Sequence, residues 1–437
     1  MTAIKSNMLW VPYGELTDIN KIKNALTVRS KYSDVPPIKT YREDDEYFGI
    51  PRNYAALECE DKTVLGQPAS IDFQGQLRQT QEHIVWQWEK FFEQGLTDWL
   101  INVSTGAGKT VLALHIAAKL KVPFLVIVPT EDLMGQWATR ITQFTNIPNG
   151  KIGYAQQTRC ESEGKVATVG IIHSLCKDRY PENFKNHFGL VIFDECHKVP
   201  ADTFSEVAGL YPAKYRLGLS ATLSRSDGRI DAMYFHLGRN IIQSKESTQP
   251  KPAVGIYKYD GHSGQLPYWC KTKIQKRAWT ISNLASNRKR NEVIAYFANR
   301  LIEKGLRTLV VGERIHQLQE IIDILHYKYE QPNIGLYISD THKGKKKWLL
   351  DQADCIMATT KMVEVGIDKD SLRGLVYATP LSDPRQLVGR IRRINDSVPD
   401  PIVIDIIDTH YPQCKYWAKS RMKIYENEGF KVGEISG

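Results

Sequence analysis

Short apolar runs alternate with longer amphipathic stretches from about Ile71 to Gln243. Short apolar runs bounded by turn residues are typical of buried strands, and the amphipathic stretches are typical of helices that cover a sheet. The predicted strands span residues 99–103, 124–128, 168–172, 189–193 and 215–219. The predicted helices span residues 80–94, 109–119, 131–144 and 202–208. This alternation predicts an α/β domain with a parallel sheet and helices on both faces.

A second series of the same kind begins near Lys251. Its predicted strands span residues 307–311, 334–338, 354–358, 374–378 and 402–406, and its longest predicted helices span 288–304 and 313–327. The pattern therefore predicts two α/β domains in tandem, at about residues 71–248 and 249–437.

Residues 1–70 differ in composition from the two α/β regions. They contain the Pro36–Pro37 pair, several tyrosines and an acidic cluster at residues 43–46. We expect a small separate α+β domain with one helix at 18–27, which serves as an accessory and a candidate DNA-binding domain.

Length and composition limit the class of protein. A chain of 437 residues is too long for one core and suits two or three domains. The hydrophobic and charged fractions, 42% and 24%, are those of a globular protein. No apolar run approaches the roughly 20 residues of a membrane span, and the N-terminus lacks a signal-peptide core. We therefore expect a cytoplasmic protein, in the host cytoplasm if a phage encodes it, with no membrane partner.

The cysteines and the net charge indicate which kinds of site and partner to expect. The seven cysteines are scattered without a C-x-x-C pair, so neither a zinc site nor a disulfide framework is expected. The net charge of +9 shifts the expectation towards a polyanionic partner such as nucleic acid, although many basic proteins bind none.

The segment Ser104–Thr110 is rich in glycine and lies between a predicted strand and a predicted helix. Such a turn lets the backbone N–H groups of Thr105, Gly106, Ala107 and Gly108 surround phosphates, while a lysine adds positive charge and a hydroxyl binds Mg²⁺. The lysine and the hydroxyl are those of Lys109 and Thr110. Val103 replaces the first glycine of the usual motif, so an ordinary strand-to-helix turn is the alternative interpretation.

An acidic pair, Asp194 and Glu195, ends an apolar strand 85 residues beyond Lys109. At the end of a strand, Asp194 is suited to hold the Mg²⁺ of a bound nucleotide, and Glu195 is suited to orient and deprotonate an attacking water. The two segments together predict a site that binds and hydrolyses a nucleoside triphosphate with Mg²⁺.

Two further segments carry weaker signals in the first domain. The amide of Gln81 can pair with both the donor and the acceptor edge of adenine, although a solvated glutamine at a helix start is an equal alternative. The small hydroxyl residues of Ser220–Ala221–Thr222 close a strand and are suited to couple the nucleotide site to a neighbouring surface; standing alone, the tripeptide is only a loop.

The second domain contains Gln386, Gly389, Arg390 and Arg393 in a helix predicted after Pro384. Two arginines three residues apart lie on one helical face, where they can neutralise charge that develops on a γ-phosphate. The alternative is a solvated basic face.

The chain resembles the superfamily 2 helicases over about residues 71–437. The motifs that carry the resemblance are Arg78 with Gln81, Ser104–Thr110, Val128–Thr130, Asp194–His197, Ser220–Thr222, Thr359 with Gly366–Asp368, and Gln386–Arg393. The resemblance implies two RecA-like domains with ATP in the cleft between them. It also implies that Arg78, Gln81, Gly366 and Asp368 bind the nucleotide, and that nucleic acid lies across both domains.

Within the superfamily, the stretch Leu217–Thr222 followed by Arg225, Asp227 and Gly228 looks most like the XPB, RadD and UvsW group. A compact chain with a short N-terminal domain is similar to the bacteriophage branch-migration helicases of that group. The resemblance implies backbone contacts to nucleic acid from Thr130, Ser174, Arg225 and Thr359. For each hydroxyl residue, a helix cap is the simpler alternative.

Two basic stretches are candidate phosphate contacts. Residues 271–290 contain seven Lys or Arg, no acid, and Trp279 as a candidate stacking aromatic. Residues 343–347 are also lysine-rich and precede Trp348. A solvated helix face with a buried tryptophan is an equal alternative for the first stretch, and loop solubility is one for the second.

These observations predict an ATP-dependent DNA helicase or translocase, expected to be a monomer, that acts on forked or branched DNA in replication, recombination or repair. Three alternatives remain open. They are an RNA helicase with the same motor, a non-hydrolysing interaction module, and the duplex-translocating motor of a restriction system.

Overall fold

A computed structural model of the chain contains two compact units, Met1–Ser247 and Thr248–Gly437. The structure describes residues 2–31, 35–104, 106–197, 201–223, 227–244, 250–261, 264–367, 369, 371–392 and 399–436. Within these ranges no helix is long and apolar enough to cross a membrane. The seven cysteines all lie in these ranges, and all are free thiols. The three-part division at residues 70 and 248 stays a prediction.

The first unit begins with a small mixed sheet. Its elements are β1 (Ala3–Lys5), β2 (Leu9–Pro12), α1 (Ile19–Ala25), β3 (Thr27–Val28), β4 (Ile38–Lys39), β5 (Arg42–Glu43), β6 (Tyr47–Ile50) and β7 (Cys59–Asp61). The strand order is β5-β6-β2-β1-β7, and β3 pairs separately with β4. The predicted helix at 18–27 is therefore too long, because Thr27 and Val28 already belong to a strand.

A larger sheet follows in the same unit. Its strands are β8 (Asp98–Asn102), β9 (Phe124–Val128), β10 (Ile152–Gln156), β11 (Arg159–Cys160), β12 (Ala167–Ile171), β13 (Leu190–Phe193), β14 (Tyr215–Ser220) and β15 (Ile241–Gln243). Its helices are α2 (Gln79–Glu93), α3 (Lys109–Leu120), α4 (Glu131–Phe144), α5 (Ile172–Leu175), α6 (Glu182–Lys185), α7 (Ala201–Ala208) and α8 (Asp231–Leu237). The strand order is β11-β10-β12-β9-β13-β14-β8-β15, with every pair parallel except β10–β11.

Hydrophobic burial explains why these strands could be predicted. All five residues of β9 and all four of β13 are buried, as expected for strands covered by helices on both faces. Each predicted strand and helix of this sheet agrees with the structure to within one residue at either end. The α/β prediction is confirmed.

Residues from Arg52 to Ala69 run along the amino-terminal edge of this sheet. Arg52 forms a buried ion pair at 3.0 Å with Asp98, the first residue of β8. A side chain on Gly189, which precedes β13, would bring its Cβ within 2.0 Å of the Leu65 carbonyl oxygen. The N-terminal region is therefore fixed to the edge opposite the carboxyl ends of the strands.

The second unit contains another parallel sheet covered by helices. Its elements are β16 (Ala253–Tyr259), α9 (Lys273–Ala285), α10 (Arg288–Glu303), β17 (Arg307–Gly312), α11 (Ile315–Tyr329), β18 (Ile334–Tyr337), α12 (Lys343–Gln352), β19 (Cys355–Thr359), α13 (Thr360–Gly366), β20 (Leu372–Tyr377), α14 (Arg385–Ile391), β21 (Ile402–Asp408), α15 (Pro412–Asn427) and β22 (Lys431–Glu434). The strand order is β18-β19-β17-β20-β21-β16-β22, with all pairs parallel.

The two large sheets share one topology. The order β12-β9-β13-β14-β8 of the first corresponds to β19-β17-β20-β21-β16 of the second, strand for strand along the chain. In parallel α/β sheets, ligands bind outside the carboxyl ends of the strands. Equivalent positions on the two sheets can therefore be compared directly.

Candidate active site

The glycine-rich loop connects β8 to α3 at the carboxyl edge of the first sheet. Gly106 and Gly108 have φ values of +86° and +89°, in the left-handed region that favours glycine. A side chain on Gly108 would bring its Cβ within 2.2 Å of the Gln81 amide nitrogen. The loop thus leads directly into the N-terminus of α3, where the first backbone N–H groups have no acceptor within the helix, although the Ala107 N–H itself donates to the Ser104 carbonyl at 3.2 Å.

Gln81 binds the loop from the side. It is 3% exposed, and its Nε2 donates to the Ala107 carbonyl at 3.0 Å. Its Oε1 accepts from the backbone N–H of Arg78 at 2.9 Å, which completes a capping box at the start of α2. A glutamine amide has a second donor and a second acceptor position, and these are the capacity that remains for a purine. Adenine recognition by Gln81 and by the exposed Arg78 stays a prediction.

The two acidic residues follow β13 at the same edge. Asp194 is buried and accepts hydrogen bonds from the Trp137 indole at 2.8 Å and from the backbone N–H of Glu195 at 3.0 Å. Glu195 has a φ of +48°, which a non-glycine residue adopts at an energetic cost and which is often found at functional sites. The Lys109 ammonium lies 3.8 Å from the Glu195 carboxylate. The structure thus brings the phosphate loop and the acidic pair together.

The charges of this cluster favour a cation. Burial of the Asp194 carboxyl, with the neighbouring Glu195 charge, raises the pKa of Asp194 to about 6. A bound Mg²⁺ ion would favour the ionised form of this carboxyl and so offset the cost of its burial. Among the described residues no group of three or more metal-ligating side chains occurs. Mg²⁺ commonly binds through one or two carboxylates, water and substrate phosphates, so Asp194 and the Thr110 hydroxyl fit a nucleotide-bound Mg²⁺.

His197 connects the acidic pair to the Ser-Ala-Thr segment. Its Nδ1 lies 3.5 Å from the Glu195 carboxylate and 2.9 Å from the Ser220 hydroxyl. The Ser220 hydroxyl also bonds to the backbone of Thr222. The contact gives a physical route for the coupling that the sequence suggested, from Glu195 through one imidazole to the end of β14.

The second unit presents its predicted arginine on α14. Gln386 and Arg390 are partly exposed on this helix, while Gly389 is buried. Arg392, two residues further, is buried: it forms an ion pair with Glu428 at 3.1 Å and stacks over a phenylalanine ring. Neighbouring arginines therefore differ in role, and Arg392 is structural.

Several predicted residues lie outside the described ranges. These are Thr105, Arg225, Asp368 and Arg393. Gly366 is the last residue of α13. The assignments of these residues stay predictions.

The three hydroxyl residues predicted to contact nucleic acid differ in their surroundings. Thr130 is the N-cap of α4 and accepts from the backbone N–H of Leu133 at 3.4 Å. Ser174 is buried and accepts from the backbone N–H of Gln157 at 3.0 Å. Thr359 is partly exposed at the end of β19. Thr130 and Ser174 thus have structural partners, and the nucleic-acid contacts stay predictions.

The basic stretch at 271–290 is not one uniform stripe. Trp279 packs edge-on against Tyr411, so it belongs to a small apolar cluster and is not an exposed stacking platform. Arg290 is fully buried in an ion pair with Asp408. Arg290 is therefore excluded from the stripe, because Asp408, 118 residues away, buries it in an ion pair, whereas Trp279 is only partly buried.

Sequence reasoning missed Trp137 and left His197 without a role. Trp137 fixes a buried oxygen of Asp194 from α4, 57 residues earlier in the chain. Its only sequence signal is a tryptophan on the apolar face of a helix, which is usually a core residue. His197 had a local signal, because it stands two residues after Glu195.

Comparison with known proteins agrees with this geometry. Residues 74–225 match a family model described as the res subunit of type III restriction enzymes. A candidate ATP-dependent RNA helicase of Acanthamoeba polyphaga mimivirus is 28% identical over 449 residues, which cover 98% of this chain and 82% of that protein. A candidate helicase of Escherichia phage T5 is 26% identical over 345 residues, which cover 76% of this chain and 72% of that protein.

A solved structure shares the fold. The helicase domain of Hef from Pyrococcus furiosus is 15% identical in sequence and superimposes with a TM-score of 0.50. The alignment covers 77% of this chain and 98% of that one. At this identity the likeness concerns the fold alone.

Proposed function

We propose that this chain, which belongs to the superfamily 2 helicases, is an ATP-dependent DNA helicase or translocase that acts on forked and branched DNA. One observation carries the proposal: Lys109, Asp194 and Glu195 meet at the carboxyl edge of a parallel sheet, beside a glycine-rich loop at the N-terminus of α3. Helicases of this superfamily hydrolyse ATP. DNA as the substrate, and branched DNA in particular, is our proposal from the motif resemblance.

Each residue of the first unit has one role in the proposed reaction. When bound, Mg²⁺ supplies positive charge to the β- and γ-phosphates. Asp194 and Thr110 would hold that ion, and Lys109 would bind the phosphates together with backbone N–H groups at the start of α3. Glu195 orients the attacking water and accepts its proton at a carboxylate oxygen. Trp137 keeps the Asp194 carboxyl in one orientation by donating to its Oδ2.

His197 is suited to report the state of the nucleotide. A change at Glu195 during hydrolysis alters the charge 3.5 Å from His197 Nδ1, and the same nitrogen bonds to Ser220. We propose that this contact passes the change to the end of β14, where the Ser-Ala-Thr segment begins. Alternating grip on the nucleic-acid backbone would then convert hydrolysis into stepping.

Arg390 and Arg393 are proposed to neutralise charge that develops on the γ-phosphate during transfer. Arg390→Ala should therefore lower turnover at saturating ATP far more than it lowers ATP affinity. Arg385→Ala is a matched control, because Arg385 lies on the same helix and pairs with Asp383. Equal loss of affinity with unchanged saturated turnover would make Arg390 a ground-state ligand instead.

The function is tested by measuring ATP turnover and strand separation with single strands, forks, four-way junctions and RNA duplexes. We expect DNA to stimulate turnover, and branched DNA to be processed faster than a tailed duplex. Stimulation by RNA and not by DNA of equal length would support an RNA helicase, which the description of the mimivirus relative favours as the second candidate. Turnover with translocation on duplex DNA but no strand separation would favour the restriction-type motor.

Residues 1–70 are proposed to contribute to the preference for branched DNA. Deletion is a poor test, because it would remove Arg52 and leave the Asp98 charge buried without its partner. Exchange of exposed cations of this region, such as Lys21→Gln and Lys62→Gln, leaves those contacts intact. If these exchanges lower binding to four-way junctions but not to single strands, the N-terminal region contributes to the recognition of branched DNA.

A further inference from the structure

We infer that the segment Leu266–Lys276, between β16 and the first turns of α9, binds unpaired nucleic acid by stacking bases on Tyr268 and Trp269. The inference rests on the proposed function, since it adds a contact for the same substrate. None of these residues belongs to the motifs that carry the family resemblance.

The segment exposes an unusual amount of apolar and aromatic surface. The side chains of Tyr268 and Trp269 are 91% and 52% exposed, and those of Leu266 and Ile274 are 51% and 81% exposed. Clustered exposed apolar residues mark binding surfaces, whereas single ones need no explanation. Four such residues within nine positions therefore indicate a partner that covers them.

The two aromatic rings are held on an ordered turn. Cys270 beside them is buried, and its backbone N–H donates to the Pro267 carbonyl at 3.0 Å. The Gln275 side chain accepts from the backbone N–H groups of Lys271 and Thr272 at 3.0 and 3.1 Å. A turn fixed in this way loses little conformational entropy when a ligand binds.

The charge of the surface identifies the partner. Lys271, Lys273 and Lys276 are exposed, and the sequence contains no Asp or Glu from Gly261 to Asn291. Lysines that directly follow exposed aromatic rings suit a polyanion whose flat groups stack, and single-stranded nucleic acid has both properties. A duplex offers phosphates but keeps its bases stacked on each other, so it would use the lysines alone.

The segment lies at the same sheet edge as a predicted backbone contact. It follows β16 at its carboxyl end. Arg277 of α9 forms an ion pair at 3.0 Å with Glu313, directly after β17, and Gly312 of β17 pairs with Thr359 of β19. A strand that reaches Thr359 therefore has the aromatic segment along the same edge of this unit.

The test compares single-strand binding by the full chain and by the double variant Tyr268→Ala/Trp269→Ala, using a fluorescein-labelled oligothymidylate and fluorescence anisotropy. We expect affinity to fall roughly tenfold or more per lost stacking contact, while ATP turnover without nucleic acid stays unchanged. Tyr268→Phe/Trp269→Phe should retain binding, because phenylalanine keeps the ring. Tyr327→Ala is the matched control, since Tyr327 is 88% exposed at the far end of α11.

A second measurement separates stacking from charge. The triple exchange of Lys271, Lys273 and Lys276 to Gln should reduce the salt dependence of binding, whereas the alanine pair should leave the salt slope unchanged and lower the affinity at every salt concentration. If the alanine pair binds the oligonucleotide as the wild type does, the inference is wrong and the surface serves another partner. If the wild-type chain itself neither binds nucleic acid nor responds to it in ATP turnover, the proposed function fails and not this inference alone.

Discussion

The two parallel sheets have the same strand order, yet they use acidic residues at their carboxyl edges in opposite ways. In the first sheet the neighbouring carboxylates of Asp194 and Glu195 lie beside one lysine, Lys109. In the second sheet both oxygens of Asp408 accept from the guanidinium of Arg290, at 2.6 and 2.9 Å, and both side chains are fully buried. The second edge thus pairs its buried carboxylate with one guanidinium, whereas the first brings two carboxylates and one ammonium group together.

This difference indicates that the second edge contributes to stability, whereas the first is the candidate functional site. A buried carboxylate with a bidentate arginine is already satisfied, and removing either partner leaves an uncompensated charge. The Asp194 carboxylate instead accepts from the Trp137 indole and a backbone N–H, which are neutral donors, and we propose that a Mg²⁺ ion with nucleotide phosphates completes this edge. The lesson is that an acid at a strand end is a candidate ligand only after its long-range partners are known.

The largest expected effect comes from Glu195→Gln. We expect ATP turnover to fall by about 10²- to 10⁴-fold, because the amide cannot accept the proton of water, while nucleotide affinity is retained. Lys109→Ala should lose turnover and affinity together. Glu313→Gln, at the equivalent edge of the second sheet, should keep basal turnover. Steady-state turnover and nucleotide binding measure all three; full turnover by Glu195→Gln would remove it from the role of base.

The next effect concerns stability. Asp408→Asn should destabilise the second unit by about 3–5 kcal/mol, because it leaves the Arg290 charge buried without a counter-charge. Asp194→Asn should keep or increase the stability of the first unit, because it removes a charge that burial disfavours. Denaturant midpoints of the two variants measure this contrast. Equal loss of stability in both would mean that the two edges do not differ.

A smaller effect is expected at the glycines. Gly108→Ala should weaken nucleotide binding about tenfold, because its Cβ would meet the Gln81 amide at 2.2 Å and displace the loop. Gly305→Ala in the second unit is the control: its φ is +72°, but no atom lies within 4 Å of the added Cβ. In both variants alanine would have to adopt a positive φ, which costs about 1 kcal/mol of conformational free energy. Similar nucleotide affinities would show that backbone strain alone matters.

The smallest effect concerns the amino edge of the first sheet. Burial, aided by the Arg216 charge, lowers the pKa of His236 well below its ordinary value, so the folded chain keeps this ring neutral. The unfolded chain binds a proton near pH 6.5, so the first unit should lose stability as pH falls below that value, by at most about 1.4 kcal/mol per pH unit. His236→Phe should flatten this dependence in acid-denaturation curves, whereas exchange of the exposed His326 should not.

Much of the fold could be predicted because its signals are local. The buried run of β9 and the amphipathic pattern of α4 agree with the structure to the residue. The strand β16 was not predicted as a separate element, since only alternate residues of it are buried and its partners β21 and β22 lie far along the chain. Long-range pairing carries no local signal.

Some residues of the candidate site could also be recognised from the sequence, and others only from the structure. The sequence identified Lys109, Asp194 and Glu195, because a glycine-rich loop and an acidic strand end can each be recognised from a few consecutive residues. It did not identify the hydrogen bond from Trp137, it left open whether Trp279 is exposed or buried, and it did not single out the exposed rings of Tyr268 and Trp269. Residue type is visible in a sequence, whereas exposure depends on neighbours brought together by folding.

By itself, then, the sequence determined the alternation of strands and helices, the phosphate loop and the acidic pair, because each depends on spacing along a short stretch of chain. Only the tertiary structure decided which charges are neutralised. Arg290 and Asp408 are 118 residues apart, and Arg52 and Asp98 belong to segments with unrelated patterns. A buried charge is tolerated only with a partner, and which partner it meets is decided when distant segments pack together.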